Sequence, residues 1–352
     1  GREACVMAGV RNKLLSMRHF PANQTRMFAA PASSAIVGRM GAFLIKRILA
    51  TIPVLVIVAV IVFTLIRLVP GDPAAVIAGN MATNEDIARI RTELGLDRGF
   101  FTQFGIWAKG MASGDLGQSF FFKKEVTALI GERLEPTLSL AFLTIVLTVL
   151  VAVPLGTLAA WRHGGWLDRA LMGFSVLGFS IPVFVLGYLL VYFFALNLDW
   201  FPVQGYRPLR EGLWPWLHQL LLPAITLSIV YVALIARVTR ASVAEALTED
   251  YVRTARAKGL PEARVLVRHA LANAAVPIVT VIGIGIALLI GGVVVTESVY
   301  SIPGLGTLTV DAVLARDFPV IQGVILFFAF LYVMVNLLVD LSYLFLDPRI
   351  RY

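Results

Sequence analysis

The chain is nearly devoid of cysteine and poor in charge. Cys5 is the single cysteine among 352 residues, so an internal disulfide and a cysteine-rich metal site are both excluded. Charged residues make up 15% of the chain, against about 25% in soluble domains. No Gly-Lys dipeptide occurs, which removes the G-x-x-x-x-G-K-[ST] phosphate loop. The patterns H-E-x-x-H and G-x-S-x-G are missing as well. The four histidines (His19, His163, His218 and His269) stand in separate segments and do not read as a metal cluster. The sequence thus offers no catalytic residue, no cofactor site and no metal ligand.

What is present is apolar. Hydrophobic residues are 58% of the chain and the mean hydropathy is +0.82. They gather in runs of about twenty, the length that crosses a hydrocarbon layer. Backbone groups in lipid must satisfy one another, so each run is read as a helix. Six spans are expected: 48–69, 137–161, 170–198, 212–236, 270–296 and 318–346. The third is long enough to tilt. Pro154, Pro182 and Pro223 fall inside spans, where proline kinks a helix. Ionisable residues are nearly absent from the middles of the spans, which argues against a proton-coupled pump. Arg67, His218 and Asp340 lie near span ends, where snorkelling, an interfacial position and a cap or helix contact account for them.

Lysines and arginines set the orientation. The segments on the side of the termini hold 19 basic residues and the opposite loops hold 10. Seven of those 10 sit in one long loop, where the rule is weak; the expectation is that both termini are cytoplasmic. The net charge of +8 follows from this asymmetry and not from nucleic-acid binding.

Three regions are expected: an N-terminal extension over 1–39, a first span with a large external loop over 40–136, and a five-span core over 137–352. The extension is basic and aperiodic, and is expected to be disordered or a mis-annotated stretch upstream of a translation start at or near Met40, with a mitochondrial presequence the weaker alternative. The external loop opens on Pro70-Gly71-Asp72-Pro73, a turn signal. A short helix is expected over 85–94, capped by Thr83 or Asn84. Phe100, Phe101, Phe104 and Trp107 follow at helical spacing, an aromatic face suited to the membrane interface.

The loop between spans four and five, 237–270, is the most informative stretch. A polar helix is expected over 241–258. Val243, Leu247, Tyr251 and Ala255 recur every four residues and would share a face. Glu245, Glu249, Asp250, Arg253, Arg256 and Lys258 supply a charged rim. Gly259 stops the helix in a left-handed conformation, and a second short helix over 261–271 leads into span five. An apolar ridge within mixed charge suits docking into a groove on a partner protein.

These residues resemble a family. Arg237-Val238-Thr239-Arg240, then Asp250-Tyr251-Val252-Arg253-Thr254-Ala255-Arg256-Ala257-Lys258-Gly259-Leu260, is similar to the cytoplasmic coupling loop of ABC importer permeases, and within them of the dipeptide, oligopeptide and nickel subfamily. Four further stretches agree: Arg47 to Arg67 running into Pro70-Gly71-Asp72-Pro73; Gly114-Asp115-Leu116-Gly117-Gln118-Ser119; Glu297-Ser298-Val299-Tyr300-Ser301-Ile302-Pro303-Gly304-Leu305-Gly306; and Asp347-Pro348-Arg349-Ile350-Arg351-Tyr352. Together they cover residues 40–352, and the resemblance is to the first of two permease chains. The general coupling motif of such importers reads E-A-A-x-x-x-G; here Arg253 and Thr254 replace its first two letters, while Ala255 and Gly259 match, a form usual in the peptide subfamily.

The resemblance implies an all-α integral membrane protein of the type I ABC importer permease fold, in the bacterial inner membrane. It implies a coupling helix that sits in an ATPase cleft, built from Glu245, Leu247, Asp250, Tyr251, Arg253, Thr254, Ala255, Arg256, Ala257, Lys258 and Gly259. The external turns would be Pro70 to Pro73 and Glu297, Pro303, Gly304 and Gly306. The implied partners are a second permease chain, two ATPase subunits carrying ATP and magnesium, and a periplasmic binding protein. Glycines 283, 285, 291 and 292 in span five allow close helix approach and sliding, or serve packing alone. Nickel chelates and glutathione are the alternative cargoes. A receptor or scaffold signalling through the 241–258 helix is the alternative of another class; an intramembrane enzyme lacks a nucleophile and base at a shared depth.

Overall fold

The structure is a computed structural model that describes residues 47, 49–64, 74–75, 83–93 and 97–346. The expectations for 1–39, Arg67, the 70–73 turn and the terminal 347–352 stretch lie outside the described residues. The chain divides into two units, Gly1–Leu49 and Ala50–Tyr352, and all packing below lies within the second.

The described residues form helices. An apolar helix α1 (Leu49–Thr64) is shorter than a full crossing over its described length. Two shorter helices follow, α2 (Asn84–Glu93) and α3 (Phe100–Ala112). Next come α4 (Val126–Trp161), α5 (Trp166–Ser180) and α6 (Val183–Leu190), the last continuing as a π-helical turn over Val191–Asn197. Helix α7 spans Leu213–Thr248 and α8 Asp250–Ala257. Helix α9 is one turn, Glu262–Arg264, extended by a π-helical stretch over Val265–Leu271. Helices α10 (Ala275–Val299), α11 (Leu305–Leu314) and α12 (Phe318–Leu346) complete the chain. Four of these, α4, α7, α10 and α12, are long and apolar enough to cross a membrane.

Helix α7 is the central element. Two-thirds of its most apolar stretch is buried, against one-third or less in the other three. Its face of Leu220, Leu227, Tyr231 and Ile235 packs on α4 and α10. The backbones of α4 and α7 meet at Gly156, where an added methyl would lie 2.5 Å from the Ala236 carbonyl oxygen. In α10 the glycines divide. Gly283 lies under Val339 of α12, and Gly292 would bring a methyl to 3.0 Å from the Tyr231 hydroxyl. Gly285 is in ordinary contact and Gly291 faces open space. Two of the four are therefore packing glycines. A second core joins the first turns of α4 to α11 and α12 through Val126, Leu129, Leu305, Leu308, Val320 and Val324.

Several expectations need correction. The third span is bent at Pro182 as expected, but so far that it is two helices and not one tilted one: α5 and α6 meet at 103°. Ile181 is extended (φ −92°, ψ 122°), the conformation a residue before proline prefers, and Pro182 has no N–H to donate back into the preceding turn. Pro136, Pro154 and Pro223, by contrast, lie inside continuous helices. The second span begins earlier than expected, because α4 takes up residues 126–136 of the long loop. The aromatic stripe of α3 has a protein partner. Phe100, Phe104 and Trp107 surround Phe63 of α1 at ring distances of 5.2–5.5 Å. Only Phe101 of the four points away, 86% exposed.

Candidate functional site

Two ends of the helical core carry the residues singled out by the sequence. The first is the 237–270 segment. Helix α7 does not stop at its last apolar turn; it runs on to Thr248 and carries Val243 and Ala246 into a core with Leu266, Ala270 and Ala274. The single helix expected over 241–258 is broken at Glu249, which is extended (φ −68°, ψ 151°). A new helix, α8, starts at Asp250, whose carboxylate suits the positive helix N-terminus.

The break changes the faces. Val252 and Ala255 form the buried side of α8, against Val265 of α9 with Leu247 and Leu260 alongside. Tyr251 therefore leaves the shared face and is 39% exposed. Burial and the charge of Glu249 push its phenol above the ordinary range, so Tyr251 remains a hydroxyl donor near neutrality. Glu245, Asp250, Arg253, Thr254, Arg256, Ala257, Lys258 and Gly259 are all exposed, Ala255 is buried and Leu247 is half-buried. The expected apolar ridge is thus turned inward, and what faces out is charged around one tyrosine.

Gly259 is left-handed, φ +73°. The Leu260 amide donates to the Ala255 carbonyl at 3.3 Å and the Gly259 amide to that of Arg256 at 2.9 Å, the paired bonds of a Schellman cap. Leu260 packs beside Ala255, the apolar contact that accompanies this cap. Arg256 then clasps Glu262 across the turn at 2.8 Å. The reversal from α8 to α9 is fixed at three points.

The second end gathers Glu297, Pro303, Gly304 and Gly306. Glu297, in the last turn of α10, has no exposed surface. Its carboxylate accepts the Thr137 hydroxyl at 2.6 Å, the Gly306 amide at 2.7 Å and the Thr307 amide at 3.1 Å. Thr137 also accepts the Leu305 amide at 2.8 Å. The orphan N–H groups at the start of α11 are thereby satisfied by a carboxylate from another helix. Gly304 and Gly306 lack side chains because the Glu297 carboxylate occupies the space beside them. The motif is a helix cap built across three elements.

Two polar centres escaped the sequence reading. Asp317, at the start of α12, is 1% exposed. It accepts the Ser119 hydroxyl and the amides of Phe120 and Phe121 at 3.2 and 3.0 Å. The Gly114 to Ser119 motif serves this contact: Gly114 and Gly117 are left-handed at φ +85° and +82°, and Asp115 accepts the Gly117 amide at 2.8 Å. At the opposite end, Asp168 of α5 holds Arg240 of α7 by two bonds of 2.8 Å each. Its Oδ2 also accepts the Gly164 amide at 2.9 Å. Arg240 Nη2 lies 2.8 Å from His163 Nδ1. The same Nδ1 lies 3.1 Å from Asp168 Oδ2. Asp168 and Arg240 are 72 positions apart, and no local spacing announces such a pair.

Comparisons with known proteins give the family and the fold. Residues 152–352 match the family described as "Binding-protein-dependent transport system inner membrane component", and residues 40–141 match its N-terminal counterpart. The chain belongs to this permease family. The permease is 53% identical over 313 residues to a probable peptide ABC transporter permease of Sinorhizobium fredii, covering 89% of this chain and all of that protein. It is 45% identical to a putative peptide transport system permease of Brucella abortus, over 89% of this chain and all of that one. It is 42% identical to a glutathione transport system permease of Escherichia coli O6:H1, over 88% of this chain and 99% of the other. Among solved structures, the inward-facing MetNI methionine ABC transporter shares the fold with a TM-score of 0.53 at 18% identity, covering 62% of this permease and 96% of that chain. The permease therefore has the type I ABC importer fold expected from its resemblance.

Proposed function

We propose that the permease is one of two membrane-spanning chains of an ATP-driven importer that takes di- or oligopeptides through the bacterial inner membrane. In this reading α1 and the bent α5–α6 pair complete a set of six spans. Both termini and the 237–270 segment are cytoplasmic, and the Glu297 end faces the periplasm. A periplasmic binding protein delivers the peptide, and two ATPase subunits carry the ATP and magnesium. The permease itself holds no cofactor.

The observation that carries this reading is the braced turn at Gly259. Helix α8 is held against α9 by a Schellman cap, an Arg256–Glu262 pair and the buried Val252 and Ala255, with Tyr251 exposed at its start. A short stiff helix with a charged face transmits a push from a partner; a flexible loop would absorb it. Glu245, Asp250, Tyr251, Arg253, Thr254, Arg256, Ala257 and Lys258 are the contact residues, with Leu247, Ala255 and Gly259 holding them in place. Peptide cargo is supported by the 53% identical relative's name; glutathione, itself a tripeptide, is the second reading, favoured by the 42% identical one.

The test is reconstitution of the complete complex in liposomes with labelled dialanine. ATP-dependent accumulation that needs all subunits supports the proposal. ATP hydrolysis without accumulation of dialanine or glutathione overturns the cargo assignment.

A further inference from the structure

The two halves of the bent span are fastened to different stretches of α7, and only α6 is also fastened to the end of α10. Helix α5 rides on the 233–240 stretch of α7. Asp168 grips Arg240 through both carboxylate oxygens, and Ser175 Oγ lies 3.2 Å from the Ala233 carbonyl two turns further on. A methyl on Gly178 would sit 3.0 Å from the Ala233 side chain, so the two helices are in close contact up to the break. Helix α6 packs on an earlier stretch of the same helix, around Thr226, and on the end of α10. Gly187 is covered by Val299, Thr226 and Tyr300. The Tyr300 hydroxyl is 2.7 Å from Thr226 Oγ1 and 3.4 Å from the Gly187 carbonyl. Between the halves stands Ile181–Pro182, where the 103° bend has no proline N–H to bridge it.

Arg240 lies on the same continuous helix as Val243 and Ala246, two to three turns before Glu249. A bidentate arginine–carboxylate contact fixes orientation as well as distance, and Asp168 is 4% exposed. We propose that Asp168 and Arg240 are positioning residues for transport: they make α5 a rigid extension of the 237–270 segment, so that displacement of that segment is delivered to a hinge at Ile181–Pro182. Neither residue touches cargo. The inference rests on the importer reading, since it needs a partner that moves α8.

The test uses the complete complex in liposomes, with labelled dialanine as cargo and Cys5→Ser as background. Subunit recovery, ATP hydrolysis and peptide accumulated per ATP are measured for Asp168→Ala, Arg240→Ala, and the pair Asp168→Cys with Arg240→Cys. The alanine variants are expected to assemble and hydrolyse ATP within twofold of the parent, while peptide per ATP falls at least tenfold. Joining the two cysteines with a short bifunctional thiol reagent is expected to return that ratio to within threefold of the parent. Peptide per ATP unchanged in the alanine variants would overturn the proposal. So would loss of assembly, hydrolysis and transport in parallel with no recovery on bridging, which marks a purely structural pair. A parent complex that hydrolyses ATP but moves no peptide would instead overturn the importer reading beneath it.

Discussion

Thr137 and Glu297, 160 positions apart, meet in a hydrogen bond of 2.6 Å between Thr137 Oγ1 and Glu297 Oε1. The contact joins α4 to α10 at the point where α11 begins. Through it one carboxylate satisfies the start of α11 and ties together three helices, while Thr137 also accepts the Leu305 amide of α11.

Glu297→Ala leaves the Gly306 and Thr307 amides without their acceptor. Each buried group left unpaired costs about 1–3 kcal/mol, so the variant is expected to lose most of its folded yield in detergent. Glu297→Gln is expected to be milder, because its amide oxygen still accepts the two backbone N–H groups. Thr137 can then turn its proton to the Arg133 carbonyl, 3.3 Å away. Thermal unfolding of the purified chain by size-exclusion fluorescence ranks the two; equal loss would show that the charge itself is required.

Gly306→Ala brings a methyl to 2.5 Å from the Val294 Cα and 2.8 Å from Glu297 Oε2. Backbone cannot yield as a side-chain tip can. The cost should be about 1–3 kcal/mol, in the range of overpacked sites, read in the same unfolding assay. Gly291→Ala is the control, since nothing lies within 4 Å of its added methyl, and it should leave the midpoint unmoved.

Gly259 separates backbone strain from crowding. A methyl there meets nothing within 4 Å, but φ is +73°. Gly259→Ala should cost about 1–2 kcal/mol, the ordinary penalty for a side chain in the left-handed region. Gly259→Pro cannot adopt that φ at all and also removes the N–H that caps Arg256. The expected result is an inserted, folded chain in which transport is uncoupled from ATP hydrolysis for Pro and largely retained for Ala. Uptake and hydrolysis in the reconstituted complex check this.

Asp317→Ala removes the acceptor for Ser119, Phe120 and Phe121. Released, the 117–125 turn should become open to protease, and limited proteolysis should cut there several-fold faster than in the parent. Ser119→Ala breaks one of the three bonds to Asp317 and the Phe122 amide's bond to Ser119 Oγ, keeps the two backbone bonds to Asp317, and should show a smaller rise.

How much of this was legible in the residues depends on distance along the chain. The Gly259 stop is a local property, written as a glycine after a polar helix, and it is found where expected; the apolar runs mark the four long helices, but the start of α4 and the depth of the bend at Ile181–Pro182 are not written in them. The grouping of Glu297 with Gly304 and Gly306 was visible as a motif, but its reason was not, because the third member is Thr137. Asp317 with Ser119, and Asp168 with Arg240, have no periodicity to reveal them. The break at Glu249 was missed for another reason: glutamate is a good helix former, and the buried pairing of Val252 and Ala255 with Val265 overrides that preference. Tyr251 was assigned to the apolar face because its spacing fits an unbroken helix, and the break rotates it outward.

The central claim is that the 245–259 stretch is the surface on which a separate ATPase acts. Crosslinking from a single cysteine at Tyr251→Cys, in the Cys5→Ser background and in native membranes, tests it most directly. The account predicts that mass spectrometry of the crosslinked product identifies a nucleotide-binding subunit, joined at its surface and in greater yield without nucleotide than with ATP trapped. A chain that crosslinks only to lipid or to itself, and that is purified in mild detergent with no nucleotide-binding partner, would contradict it.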